Sequence, residues 1–278
     1  MLLMKELDKT STIELRRFYV RRAYHILPAA IVFIVVVFVM FWQELRWYHM
    51  AAAALYLVNY DFAHPWFLGH LWSLSVQEQF YFLWPGVLKR WYRHRVRIAI
   101  GAIAVAPLFR ILGHLLRLHG RGDEAFPAVA DILAIGCLLA LFWKRVPTVR
   151  AWCAALMLVP VVLVPAYMGV LKFHVTAVLL LVFWPVMHFS IAGLLLHVVQ
   201  TPYRILNFGP VVWLGKMSYS LYLWQQLFTF GAHPRPWYFQ ILAVGVAAAS
   251  YYLLEQPMIR LRERGRGQRK EVVMAAAA

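Results

Sequence analysis

Long apolar segments recur along this chain and limit the folds that it can adopt. They lie near residues 26–42, 71–88, 98–115, 128–143, 152–168, 175–198, 211–230 and 238–254. Most of them approach the length of about 20 residues that a helix needs to cross a hydrocarbon layer of roughly 30 Å. The sequence therefore predicts an all-α fold, a polytopic transmembrane helix bundle with about eight to nine hydrophobic segments. A shorter apolar run at 50–60 is interpreted as re-entrant or peripheral.

The composition favours a single membrane domain. Apolar residues make up 63% of the chain and charged residues only 14%, whereas a soluble domain is about half apolar and a quarter charged. No polar block is long enough to build a second core. We therefore expect one integral membrane domain over residues 1–262, followed by a basic cytoplasmic tail, 263–278, that is disordered.

The basic residues are distributed unevenly between the two sides of the predicted bundle. A formal net charge of +16 could indicate nucleic-acid binding, but most lysines and arginines fall on the side that holds both termini. The main clusters on that side lie at residues 5–22, 89–97, 144–150 and 260–270. By the positive-inside rule this side is the cytoplasm. The charge is thus interpreted as a topology signal, and no nucleic-acid partner is expected.

The segment 70–85 places ionisable and amide groups in an apolar helix. It carries His70, Gln77 and Glu78 in a stretch that is otherwise apolar enough to lie in a bilayer. Ionisable groups at membrane depth are costly, so they usually face one another or a cavity and mark functional sites. The sequence therefore predicts that this helix handles something polar.

Arginines are interleaved with aromatic residues where the first apolar segment begins. Residues 16–28 contain Arg21, Arg22 and His25 together with two further arginines. Guanidinium groups bind phosphate oxygens through paired hydrogen bonds, so this segment would suit a phosphorylated ligand. The alternative is a basic collar that contacts anionic lipid head groups. The spacing alone leaves both interpretations open.

Other polar positions in apolar segments also have two interpretations each. Asp131 is either a site residue or a carboxylate stabilised by the N-terminus of its helix. Ser218 and Tyr219 either line a polar path or form hydrogen bonds between helices. Glu255, followed by a helix-ending Pro257, is either a site residue or the partner of arginines in the tail. The histidines show no metal-binding spacing, so no metal site is predicted.

Taken in order, five segments resemble the motifs of the acyltransferase-3 family of membrane O-acyltransferases. They are residues 18–28, 70–85, 131–141, 218–225 and 250–261. The segment at 70–85, which reads HLWSLSVQEQFYFLWP, is the most specific of them. Members of this family typically transfer acetyl or other short acyl groups from cytosolic acyl-CoA to hydroxyls of sugars, commonly in surface polysaccharides.

The resemblance implies a donor site, a catalytic site and an acceptor site. Acyl-CoA would be a co-substrate, with no permanently bound cofactor. The residues implied to hold its phosphates are Arg21, Arg22 and His25. The implied catalytic residues are His70 as the candidate general base, with Glu78 and Glu255 orienting or charge-balancing the site. The residues implied to bind the sugar or polysaccharide acceptor are Trp72, Ser73, Tyr81, Asp131, Ser218 and Tyr219. The expected location is the bacterial inner membrane.

The chain also departs from the family pattern. His25 replaces the second arginine of the first motif, Gln77 replaces a glutamate and Gln225 replaces a histidine. Family members begin with two further helices, one of which carries a histidine proposed as general base. We therefore expect little or no acyl transfer from this polypeptide alone. The alternatives are an inactive relative that serves as a membrane partner subunit and a small-molecule transporter, which the lack of internal symmetry disfavours.

The charge asymmetry predicts that Gly267 faces the cytoplasm and Arg121 faces outward. Arg121→Cys and Gly267→Cys, each made after both native cysteines are replaced by alanine, can be treated with a membrane-impermeant maleimide in intact cells. We expect labelling at position 121, and none at 267 until the membrane is permeabilised. Labelling at position 267 in intact cells would show that the orientation is the opposite of the one predicted.

Overall fold

The structure is a computed structural model that describes residue 6 and residues 12–116, 124–143, 145–171, 182–229 and 236–264. Every regular element in these ranges is helical, which confirms the all-α prediction. The expected disordered tail lies outside the described residues from position 265 onward, and so does the region around Arg121. In chain order the helices are α1 (Leu15–Phe41), α2 (Trp47–Ala54), α3 (Trp66–Gly69), α4 (Leu71–Arg90), α5 (Arg95–Leu115), α6 (Phe126–Phe142), α7 (Ala151–Leu171), α8 (Trp184–Gln200), α9 (Gly209–Lys216), α10 (Ser218–Phe228) and α11 (Tyr238–Ser250).

Among the residues that the structure describes, three helical stretches are long and apolar enough to cross a membrane. They are Leu15–Phe41, Tyr92–Leu115 and Tyr238–Arg264. Helices α6 and α8 and most of α7 are apolar but shorter. Many of the exposed side chains on these helices are large and apolar, such as Val39 and Leu108. Such surfaces are unfavourable in water and suit contact with lipid.

The chain divides into two compact units. Of the residues that the structure describes, those within 73–207 and within 1–13 form the central unit, and those within 14–72 and 208–264 form the flanking unit. In the central unit α6 packs against α5 and α8, and α7 packs against α8. Buried alanines lie along α5 and α6, among them Ala99, Ala106 and Ala128. Small side chains let helix backbones approach closely, which favours association where lipid supplies no hydrophobic force.

The flanking unit is built around contacts between α1, α10 and the last helix. α10 packs against α11, and α1 contacts both α10 and the turn that follows α11. The fully buried Phe33 of α1 meets the ring of Trp224 on α10 edge-on, with centroids 5.3 Å apart. Aromatic pairs of this kind add about 0.5–1.5 kcal/mol beyond the burial of their area. This contact helps to fix the register of α1 against α10.

The short apolar run at 50–60 forms no long helix. It falls in α2, which has eight residues, and in a 3-10 turn at Val58–Tyr60. The length of α2 agrees with the peripheral interpretation. The Nδ1 atom of the buried His49 lies 2.6 Å from Asp61 Oδ2 and ties α2 to the chain beyond that turn. Trp47 and Trp66 are exposed nearby, as is common for indoles at a membrane–water interface.

The predicted single span at 211–230 is wrong. The structure has two helices there, α9 and α10, which are interrupted at Met217. Met217 is fully buried and leaves the helical region with φ −99° and ψ 12°. Neither helix alone, of eight and 11 residues, is long enough to cross hydrocarbon. Hydropathy averaged over residues 211–230 did not reveal this break, although Lys216 and Ser218 stand on either side of it.

The last helix does not end at Pro257, contrary to expectation. After α11 the chain forms a π turn, Tyr251–Glu255, and then continues as helix to Arg264. A proline removes one helical hydrogen bond, and its ring collides with the carbonyl four residues earlier, here that of Leu253. Leu253 lies within the π turn, where the regular bonding pattern is already interrupted. The helix can therefore accommodate the proline and extend beyond it.

Candidate functional site

A basic cavity of about 380 Å³ opens on the flanking unit, where the first and last helices come together. Its lining residues are Phe18, Arg21, Arg22, His25, Ile259 and Arg262. The four residues from α1 are spaced by three and four positions, so they share one face of that helix. Three guanidinium groups and an imidazole beside two apolar side chains can hold an anion with an attached apolar or planar part.

Arg262 is a member of the site that the sequence did not single out. It was counted only as part of the basic tail, yet it lines the same cavity as Arg21 and Arg22. Its spacing was an available signal, because Glu255, Ile259 and Arg262 are separated by four and three residues on a helix. Once the helix continues past Pro257, these three residues fall on one face.

Glu255 lies fully buried behind the cavity. Its Oε1 accepts a hydrogen bond from the Ser220 hydroxyl, and Ser250 Oγ lies 3.1 Å from Ser220 Oγ. Its Oε2 lies 3.6 Å from His25 Nδ1. Pairing of Glu255 with arginines of the tail, the alternative left open by the sequence, is not seen among the described residues. The structure therefore brings together His25 and Glu255, for which the resemblance implied separate roles.

His70 lies elsewhere in the flanking unit and does not line the cavity. Its Nε2–H donates to the carbonyl of Leu223, 3.0 Å away, and its own carbonyl accepts a hydrogen bond from the Tyr222 hydroxyl. Its ring meets Phe33 edge-on, with centroids 5.5 Å apart. Phe33 follows His25 by eight residues, which is about 12 Å along a helix axis. His70 and Glu255 thus do not form one compact catalytic cluster.

The tautomer of His70 follows from these contacts. Because Nε2 donates to a carbonyl, a neutral imidazole keeps its lone pair on Nδ1. That atom is buried and has no hydrogen-bond partner among the described residues. An unprotonated ring nitrogen of this kind is what a general base requires.

The residues implied to bind the acceptor are divided between the central and the flanking unit. Trp72, Ser73 and Tyr81 are half-buried on α4, as is Glu78. Ser218 is exposed at the start of α10. The hydroxyl of Tyr219 donates to the Ile26 carbonyl, 2.9 Å away, which supports the helix–helix interpretation for this residue. The implied acceptor roles of these residues remain predictions.

Asp131 forms the centre of a buried charge cluster in the central unit. Arg110 Nη2 donates to both of its carboxylate oxygens, at 2.5 and 2.6 Å, and His188 Nδ1 lies 3.0 Å from Oδ2. Asp131 stands in the second turn of α6 and binds side chains of α5 and α8, so the helix N-terminus is not its main partner. The sequence had left Arg110 and His188 without a role, because they lie 21 and 57 residues away.

The comparisons with known proteins decide the family. A model of an acyltransferase domain, that of the acyltransferase-3 family, matches residues 2–255. This chain belongs to that family. The result confirms the resemblance seen in the motifs, and with the apolar helices it makes the chain an integral membrane protein. No solved structure gives a significant match to the chain.

Several curated relatives of this acyltransferase-family chain carry the name O-acetyltransferase. The peptidoglycan O-acetyltransferase OatA of Listeria monocytogenes is 24% identical, over 80% of this chain and 41% of that protein. A putative O-acetyltransferase of Staphylococcus aureus strain COL is 26% identical, over 80% of this chain and 42% of the relative. The O-acetyltransferase OatA of Staphylococcus aureus strain NCTC 8325 gives the same identity and coverage. The chain spans about two fifths of the length of these relatives.

The buried cluster in the central unit should be essential for stability. We expect Asp131→Asn to lower the free energy of unfolding by about 3–5 kcal/mol, because it leaves the Arg110 guanidinium buried without a counter-charge. Thermal unfolding in detergent, followed by loss of the monodisperse elution peak, measures the effect. The control is the double variant Arg110→Met with Asp131→Leu, which removes both charges and should recover most of the loss. An unchanged unfolding temperature for Asp131→Asn would show that the pair contributes little.

Proposed function

We propose that this chain acts as a membrane O-acyltransferase that transfers an acyl group, most simply acetyl, from acyl-CoA to a hydroxyl of a sugar in a surface polysaccharide. Family membership and the names of its relatives support acyl transfer to oxygen. The observation that carries the choice of donor is the basic cavity between the first and last helices of the flanking unit.

The chemistry of the cavity fits the nucleotide end of coenzyme A. This part of the molecule carries a 3′-phosphate and a diphosphate, and Arg21, Arg22 and Arg262 supply planar guanidinium groups that bind such oxygens in pairs. Phe18 and Ile259 give the cavity an apolar wall against which an adenine ring can pack. A single lipid phosphate would engage fewer of these groups.

In the proposed reaction the acceptor hydroxyl attacks the thioester carbonyl. A carbon–oxygen bond forms, the carbon–sulfur bond breaks, and the proton of the hydroxyl ends on the sulfur of free coenzyme A. A general base takes that proton first. We assign this role to His70, whose Nδ1 has no partner among the described residues. We assign to Glu78, which lies on α4, the role of balancing charge in the catalytic site.

The orientation of the protein is part of the same proposal. The cavity lies beside the basic start of α1, on the side that the charge asymmetry assigns to the cytoplasm. Cytosolic acyl-CoA would then reach the cavity directly. The corresponding location is the bacterial inner membrane, with both termini in the cytoplasm.

Donor binding is tested by removing two of the cavity arginines. Arg21→Ala with Arg22→Ala should weaken acetyl-CoA binding, with a loss of about 1.5–3 kcal/mol for each charge-assisted contact, and should reduce its salt dependence. Calorimetry in nanodiscs of zwitterionic lipid measures the affinity. The matched control is Arg16→Ala with Arg17→Ala, which removes the same charge from exposed positions of α1 outside the cavity lining.

The same measurement separates a nucleotide site from a lipid collar. We expect the Arg16 and Arg17 variant to retain the parent affinity, and we expect nanodiscs with anionic lipid to compete only weakly. If both double variants lost the same affinity for acetyl-CoA, or if anionic lipid displaced acetyl-CoA completely, these arginines would be topology determinants and not ligands of the donor. Failure of the parent chain to bind acetyl-CoA would reject the proposed donor.

Acyl transfer itself is tested with radiolabelled acetyl-CoA and soluble peptidoglycan fragments as the acceptor. We expect the transfer rate of this polypeptide alone to be low. Whatever transfer is measured should depend on a base, so His70→Gln should lower the rate by about a hundredfold or more while leaving acetyl-CoA affinity unchanged. We expect Glu78→Gln to reduce transfer more than it reduces the yield of folded protein. Donor binding without transfer by the parent chain would favour the inactive relative that acts as a partner subunit.

A further inference from the structure

The pair formed by His25 and Glu255 connects the basic cavity with the interior of the flanking unit. The His25 side chain is 45% exposed and lines the cavity, whereas the Glu255 side chain is fully buried. The separation of 3.6 Å between Nδ1 and Oε2 is within reach of an ion pair but longer than a hydrogen bond. A small movement of the imidazole toward Glu255 would close this gap.

The surroundings of Glu255 make the charge of His25 important. A buried carboxylate is costly unless it is paired and hydrogen-bonded. Ser220 satisfies Oε1, but Oε2 has no hydrogen-bond partner in the part of the chain that the structure describes. His25 is the cationic group found within ion-pair distance of this carboxylate among those residues. A proton on His25 would therefore stabilise the ionised form of Glu255.

The other charged groups around His25 disfavour its protonation. Arg21 and Arg22 lie one turn earlier on α1, and Arg262 faces His25 from the last helix across the cavity. From α10 the group that faces it is Tyr219, whose ring lies 5.8 Å away and whose hydroxyl binds a backbone carbonyl. Positive neighbours disfavour a second positive charge, and a bound polyanion would neutralise them.

We infer that Glu255 is a positioning residue that holds a proton on His25 when the phosphorylated donor binds, so that donor binding takes up a proton. This inference rests on the proposed function. The proton makes the imidazolium a fourth cationic ligand for the phosphates, and the carboxylate behind it provides the counter-charge. The family pattern has an arginine in place of His25, and an arginine keeps its charge at all accessible pH values. Proton-linked donor binding would thus be a property of this chain's own substitution.

The test compares the pH dependence of acetyl-CoA affinity in the parent chain and in His25→Arg. From about pH 6 to about pH 8 the parent should lose about tenfold in affinity relative to His25→Arg, because the imidazolium gives up its proton and the guanidinium does not. The 3′-phosphate of the ligand also titrates near pH 6, in the direction that strengthens binding as pH rises. His25→Arg reports that contribution alone and so corrects for it.

Glu255→Gln tests the role of the carboxylate. It should move the fall in affinity to lower pH, because the imidazolium loses its counter-charge, while binding at low pH stays near the parent value. A merely structural role would lower the folded fraction or weaken binding equally at every pH. If Glu255→Gln does not fold, Ser220→Ala removes the hydrogen bond to Oε1 and should give a smaller shift in the same direction.

Proton uptake gives an independent readout. Calorimetry near neutral pH in two buffers of different ionisation enthalpy should show that the parent takes up more protons on binding acetyl-CoA than His25→Arg does. Equal proton uptake and parallel pH profiles in the two proteins would overturn the inference while leaving the donor site intact. No acetyl-CoA binding by the parent at any pH would instead reject the proposed function.

Discussion

A charge buried away from water has to find its counter-charge inside the protein, and this constraint shapes both units. In the central unit Asp131 binds Arg110 and His188, so one carboxylate joins α5, α6 and α8. In the flanking unit Glu255 joins the last helix to α10 through Ser220 and approaches α1 at His25. Apolar packing alone would tolerate many rotations of these helices. The buried carboxylates favour the rotations that bring hydrogen-bond or ion-pair partners to them.

Much of the fold could be predicted because it depends mainly on a local property, the length of the apolar segments. Apolar segments of the right length predict helices, and all the described elements are helical. The arginines of residues 16–28 could likewise be proposed as phosphate ligands from their type and spacing. What the sequence could not supply is the partner of each polar residue, since His25 and Glu255 are separated by most of the chain. Arg262 was overlooked because the helix was expected to end at Pro257, so its place on one face with Glu255 and Ile259 was not recognised.

The errors come from backbone details that hydropathy does not encode. The break at Met217 lies between two apolar helices, so the average over residues 211–230 gives no sign of it. The most specific motif gave no information on where its His70 lies, which the structure shows bonded to α10 and apart from the basic cavity. Motif residues identify a family more reliably than they identify which groups stand together.

The π turn at Tyr251–Glu255 affects which substitutions the last helix can accept in evolution. It holds one residue more than a regular turn, so the helix beyond it is rotated by about 100° relative to an unbroken one. Because of this offset, residues 238–250 present one face to α10 and lipid, whereas Glu255, Ile259 and Arg262 lie on a different face that is turned toward α1. Each half therefore presents its own face, and no residue of 238–250 lines the cavity. Substitutions that adapt the apolar half to a thicker or thinner bilayer need not disturb ligand recognition at the other end.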